Sequence, residues 1–237
     1  MTTTIMDTFI PTIPEANPEG IERRFKYDSL TKIEGEPTYE QMYIVREELC
    51  RNAIAIKSSF GGGKHGHLGA VTKPSVYLTE TGETWSIPAT SGVYPTFQTG
   101  ATDDEKKKEI AEFIERETNI KVAEMVEELL KNQFLEAVDE EYIMVLKQGV
   151  LRYDGTSLND LVQHIFDNYA KIDDLLVIKN KKEFEEPPDL TRPIDVYFKK
   201  QEDCQKLAAD SEVEISESEM VLQMQTHLGA TGMINSK

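Results

Sequence analysis

Cysteine is almost missing from this chain: Cys50 and Cys204 are the only two among 237 residues. Two thiols so far apart cannot form the disulfide framework of a small secreted domain. Long apolar runs are missing too, since no segment approaches the roughly 18 residues that mark a membrane-spanning helix. The opening stretch, MTTTIMDTFIPTIPEANPEG, has neither a basic start nor an unbroken apolar core, so no secretory leader is expected. These absences predict reduced thiols, a cytoplasmic setting and no membrane partner. Positive charge is scarce as well. Twenty-six Lys and Arg stand against 43 Asp and Glu, for a net charge of −17. Such a surface repels phosphate backbones, so binding of nucleic acid by this chain alone is not expected. The basic residues that exist, such as Lys106, Lys107 and Lys108, are flanked by carboxylates and read as solvated helix faces.

What remains is a mixture of 39% hydrophobic and 29% charged residues, enough for a packed core. Breakers crowd residues 1–36 (Pro11, Pro14, Pro18, Gly20 and Gly35), which predicts an irregular N-terminal arm. Thr38 and Gln41 then have capping-box spacing, and Met42, Val45, Leu49, Ala53 and Ile56 recur at helical steps. A long Gly- and Pro-rich loop follows over residues 61–100. Within it, residues 75–78 and 84–87 are candidates for a short β-hairpin turning at Thr81 and Gly82. Beyond it, Thr102 and Glu105 open a long helix carrying Ile110, Phe113, Val126, Leu129, Leu130 and Phe134. Tyr142, Ile143, Val145 and Leu146 predict a separate short helix. Leu158, Leu161, Val162, Ile165 and Phe166 predict a strongly amphipathic one. Leu129, Leu161, Val162, Ile165 and Phe166 are expected to be the most buried. A weaker helix spans 172–182, and the adjacent Pro187 and Pro188 place a linker at 184–192. The fold class is therefore mainly α. A helical body at 37–183 is followed by two further helices at 193–237, the second opened by a Ser216–Glu219 capping box.

The stretch with most chemical promise runs from Phe60 to Gly69. A phosphate-binding loop needs a glycine, four intervening residues and then Gly-Lys-Ser/Thr, but Ser58 and His65 occupy the positions of the first glycine and the hydroxyl. His65 and His67 could face one side of an extended strand as metal ligands. Zinc takes three or four ligands, however, and only His164 and His227 remain, both on amphipathic helices. Gly61, Gly62, Gly63, Gly66 and Gly69 are better read as permitting positive φ while His65 and His67 bond a tight loop. Asp154, Gly155 and Thr156 lack the other ligands of a calcium loop. Carboxylate pairs such as Asp103 and Asp104 carry no information in so acidic a chain. No catalytic residue, cofactor or metal site is expected, and the chain reads as a non-enzyme.

The run Ser59-Phe60-Gly61-Gly62-Gly63-Lys64-His65-Gly66-His67-Leu68-Gly69, set between a first helix and long acidic helices, resembles the Gag-like polyproteins of copia-type retrotransposons. Pro193-Ile194-Asp195 and the closing Thr231-Gly232-Met233 are similar to them as well. The resemblance implies a capsid-like helical protein that associates with itself, built as two lobes joined by a linker. Family members continue into a complete second lobe and an RNA-binding zinc knuckle. Neither is found here, so the resemblance implies a fragment or degenerate copy. The competing expectation is a helical adaptor that uses the same apolar helices to hold a partner.

Overall fold

Hydroxyl and carboxylate caps set where the helices begin. In the computed structural model, which describes residues 17–98, 100–211 and 213–230, Asn17 caps helix α1 (Pro18–Glu22). Thr38 caps α2 (Tyr39–Ala55), its hydroxyl accepting from the Gln41 amide while the Gln41 side chain accepts from Thr38 N–H. The Thr102–Glu105 pair does the same for α4 (Asp103–Ala137), after α3 (Pro74–Thr81). Ser157 caps α5 (Leu158–Asn168) and Asp173 caps α6 (Asp174–Glu185). Helices α7 (Ile194–Asp210) and α8 (Glu217–Ala230) follow, the latter behind the Ser216–Glu219 box. Each reciprocal box satisfies two backbone donors that a helix otherwise leaves orphaned. The protein is mainly helical, and no strand occurs among the described residues.

The chain divides into two units, one ending at Ala170 and one starting at Lys171. In the first unit, α2, α4 and α5 pack mutually, and α1 lies against α4. Met42, Val45 and Leu49 meet Val126, Leu130 and Phe134, with Leu158, Leu161 and Ile165 closing the core. Beyond a five-residue helix, segment 17–36 is irregular as its prolines and glycines predict, but it is packed into the body rather than a separate arm. Asn17 and Pro18 start a helix, and Ile21, Phe25, Leu30 and Ile33 belong to the core. The remainder of that expected arm, residues 1–16, lies outside the described residues, as does the Thr231–Met233 ending. Asn52, fully buried on α2, fixes this segment in place. Its carboxamide accepts from Tyr27 N–H (2.8 Å) and donates to the Tyr27 carbonyl (2.9 Å) and to Gln133 Oε1 (2.9 Å).

Helix α4 is 35 residues long, about 52 Å at 1.5 Å per residue, yet its first buried residue is Ile120. Its apolar stripe turns Leu130 and Phe134 fully inward, whereas Leu129 is only half-buried. Phe166 is likewise half-buried, its ring edge-on to Tyr39 and beneath the Arg46 guanidinium, 5.1 Å from the ring centre. Leu161, Val162 and Ile165 are buried as expected.

The expected hairpin is absent. Pro74 presets the first turn of α3, and the Thr79 and Thr81 hydroxyls donate to carbonyls four residues back. Gly82, at φ 73°, then ends the helix in the left-handed conformation. Residues 140–151 form three 3₁₀ turns rather than a short helix.

The second unit contains α6, α7 and α8. The expected 184–192 linker lies inside it, connecting α6 to α7, and those two helices pack on each other. Asn180 donates to the Cys204 carbonyl (2.9 Å) and Gln201 to the Phe184 carbonyl (3.1 Å). Adjacent prolines stiffen a connection, but the pairing of the flanking helices decides where the unit ends.

Candidate functional site

The glycine–histidine run folds back onto the end of α2 and is covered by α3 and Trp85. Gly61, Gly62, Gly63 and Gly66 all have positive φ, between 54° and 75°. Gly66 presses its α-carbon against three carbonyls of the α2 terminus. A β-carbon there would lie 2.6–2.7 Å from the oxygens of Ala53, Ile54 and Ile56. That approach lets His67 N–H donate to the Ala53 carbonyl at 2.9 Å, satisfying a terminal helix acceptor. Tyr77 on α3 donates its hydroxyl to the Gly61 carbonyl at 2.7 Å. Trp85 packs over Gly69, with ring centres 5.7 Å from His67, 5.8 Å from Tyr77 and 6.2 Å from Phe60.

His67 is 1% exposed, and its Nε2 stands 3.3 Å from the Lys57 carbonyl. A carbonyl only accepts, so Nε2 carries the proton and Nδ1 is left as a buried acceptor with no partner. Burial pulls its pKa down to about 4, so the ring is neutral at physiological pH. His65 is half-buried, edge-on to Tyr77. The two histidines therefore do not converge on a shared ligand position. His164 and His227 sit elsewhere, bonded near Tyr142 and Tyr197 respectively. Among the described residues, no group of three or more His, Cys, Asp or Glu stands close enough to hold a metal ion. Both cysteines are free, and burial pushes Cys50 up to about 12 and Cys204 to about 11. Thiols held protonated in this way are poor nucleophiles. The spacing of the glycines conveyed the turn, but the part played by Trp85, the only tryptophan, had no sequence signal.

A second site lies at residues 140–156. Glu140 is its hub. Lys147 donates to Glu140 Oε1 at 2.6 Å, Arg152 approaches at 3.7 Å, and the Tyr153 hydroxyl stands at 3.5 Å. The Lys147 hydrogen bond, then its charge, hold the Glu140 carboxyl below the usual carboxylate range. Arg152 has φ 51° and ψ −109°, the one non-glycine with positive φ among the described residues. Its carbonyl accepts from Gln148 N–H at 2.6 Å and closes the loop. The result is a cinched loop that holds Met144, Val145, Val150 and Leu151 out into solvent, Val145 at 76% and Val150 at 99% exposure.

Beside this loop is a cleft of about 820 Å³. Glu124, Glu127 and Glu128 of α4 form one wall, and Ile143, Arg152 and Tyr153 form another. Lys131 spans the far edge, donating to the Thr156 carbonyl at 2.9 Å. Sequence periodicity missed this site, because Tyr142, Ile143, Val145 and Leu146 look like a helix face whether or not anything covers them.

No protein-family model, curated protein or solved structure matches the chain. No helix among the described residues is long and apolar enough to cross a membrane.

Proposed function

We propose that this chain is a structural protein that associates with copies of itself, capsid-like in the manner of the Gag polyproteins its glycine–histidine run resembles, and that it has no catalytic role. The observation that carries this reading is the loop at 144–151. Large apolar side chains on a surface mark an interaction site when they are clustered and held in place. Here four of them are fixed by the Glu140 hub and the Gln148–Arg152 closure. The glycine–histidine run supports the same reading, because its glycines serve close packing and His67 is a buried neutral ring. Free thiols accord with a reducing, cytoplasmic setting. With a charge of −17, affinity for RNA would have to come from another chain.

Light scattering and electron microscopy over a hundredfold range of concentration test the proposal. Assemblies that grow with concentration are expected, and a monomer throughout would overturn it. The adaptor reading draws on a different observation, a groove of about 370 Å³ in the second unit bordered by Val177, Phe184, Ile215 and Leu222. A monomer that binds an apolar helix there would favour it.

A further inference from the structure

We infer that Glu140 is a latch on a strained loop. Its carboxylate holds residues 147–152 closed against the backbone strain at Arg152, and the loop opens when that carboxylate is neutralised or its cations are screened. The inference concerns how the loop proposed above as a contact is held, and it stands whether or not copies of the chain associate.

Arg152 is the spring. Its φ of 51° and ψ of −109° lie where an L side chain crowds its own backbone. At the nine other described positions with positive φ the chain uses glycine. At 152 it carries instead an arginine that reaches the latch. Strain of this kind persists only where the surroundings over-determine a conformation, and it gathers at elements that switch. Here the flanking residues are the fixed points, because Ile143 and Tyr153 are both buried. Between them the excursion is bridged by one backbone bond, from Gln148 N–H to the Arg152 carbonyl at 2.6 Å. Relaxation of Arg152 to negative φ reorients that carbonyl and breaks the bond.

The latch is a single oxygen. Glu140 Oε1 accepts from Lys147 Nζ at 2.6 Å and from the Tyr153 hydroxyl at 3.5 Å, and the Arg152 guanidinium stands 3.7 Å away. Lys147 and Arg152 bracket the Gln148–Arg152 bond, so one carboxylate ties both ends of the strained segment. Charge-assisted bonds are the stronger kind, yet this set is open to solvent. The Glu140 side chain is 51% exposed and that of Arg152 65%. Exposed ion pairs are weak and are screened by salt. A weak tie opposing strain of similar size makes two arrangements accessible, since neither overwhelms the other. With the latch shut, Met144, Val145, Val150 and Leu151 are displayed together. With it open, Val150 and Leu151 are no longer fixed relative to Met144 and Val145.

Nuclear magnetic resonance on the full chain tests the latch through two signals. One is solvent exchange of the Gln148 amide; the other is the strong amide-to-α-proton cross peak that positive φ gives Arg152. Glu140→Gln should speed the exchange about tenfold, as expected for losing bonds to a charged group, and should weaken the cross peak. Arg152→Gly removes the spring, because glycine adopts positive φ without strain. Its Gln148 amide should stay slow, and adding Glu140→Gln to it should change the rate by less than about threefold. In the wild type, raising sodium chloride from about 50 mM to about 500 mM should reproduce the effect of Glu140→Gln. Slow amide exchange at residues 124–137 establishes that each variant is folded and the change local. An unchanged Gln148 amide in Glu140→Gln overturns the latch. A double variant as open as Glu140→Gln alone overturns the spring. A wild type indifferent to salt overturns electrostatic control, and it does so even where a variant fails to fold. No arm reads association, so failure here leaves the self-association proposal standing.

Discussion

Trp85 lies so closely over Gly69 that a β-carbon there would fall inside the indole ring's van der Waals shell. The glycine is thus required by its neighbour and not by its own backbone angles, since Gly69 is not among the positive-φ residues. Gly69→Ala should cost about 1–3 kcal/mol, the usual range for overpacking a filled site. Urea unfolding of Gly69→Ala and of the pair Gly69→Ala, Trp85→Ala checks this. The double variant should show no extra penalty from the clash; additive losses would mean that the two residues do not oppose each other.

Gly35 and Gly66 make a second, internally controlled comparison. Both have positive φ, 73° and 54°, but a β-carbon at Gly35 meets open space, whereas at Gly66 it meets three carbonyl oxygens. Alanine at Gly35 should cost on the order of 1 kcal/mol for the left-handed conformation alone. Alanine at Gly66 should cost clearly more and loosen the end of α2, seen as faster amide exchange at His67. Equal losses at the two sites would refute the close approach.

His67 makes stability depend on pH. Its folded pKa, about 4, lies below the ordinary 6.5, so the unfolded chain binds a proton more readily. The stabilising contribution is full above about pH 6.5 and is lost as the pH falls toward 4. Its size is on the order of 3 kcal/mol, because each tenfold drop in proton affinity is worth about 1.4 kcal/mol. His67→Gln should flatten the melting temperature against pH in that window. A wild-type curve already flat between 6.5 and 4 would show that the ring is not buried neutral.

Phe134 and Phe166 differ in burial and should differ in cost. Phe134→Ala, from a side chain with no exposed surface, should lose about 3–5 kcal/mol. Phe166→Ala should lose less than half as much, because its ring is half-exposed and leans on Tyr39 and Arg46. Chemical denaturation of both settles the ranking, and the reverse order would mean that the helix phases are misassigned.

Asn52 and Gln133 supply a polar counterpart. Asn52→Ala would leave Tyr27 N–H without its acceptor and deprive Gln133 Oε1 and the Tyr27 carbonyl of a donor. A loss of about 2–3 kcal/mol is expected, as befits unsatisfied groups in a largely buried site. Proteolysis should then cut within residues 23–34 sooner than in the wild type, and unchanged cleavage would argue that the segment is held by its apolar contacts alone.

Local chemistry was legible in the sequence where it acts over three or four residues. The Thr38–Gln41, Thr102–Glu105 and Ser216–Glu219 boxes form as their spacing predicts, and the glycine run adopts positive φ where turns require it. Long-range choices were not legible. Leu129 and Leu130 share one apolar stripe, and only the position of α2 and α5 selects Leu130 for the interior. Pro187 and Pro188 signal a break, but whether a break separates units depends on α6 meeting α7. The loop at 144–151 is the extreme case, because sequence records apolarity and not whether anything covers it.

Helix α4 carries one further implication. Its first 17 residues, about 25 Å of helix, precede Ile120 and bury no side chain fully, while the remainder is anchored in the core. One continuous helix thus spans two regimes of local stability. Ion pairs such as Lys108–Glu112, the Thr102–Glu105 cap and an edge-on contact of Phe113 with Tyr94, rather than burial in the core, keep its leading half wound. Amide protons on residues 106–116 should therefore exchange through fraying, sensitive to salt, while those on residues 124–137 wait for global unfolding.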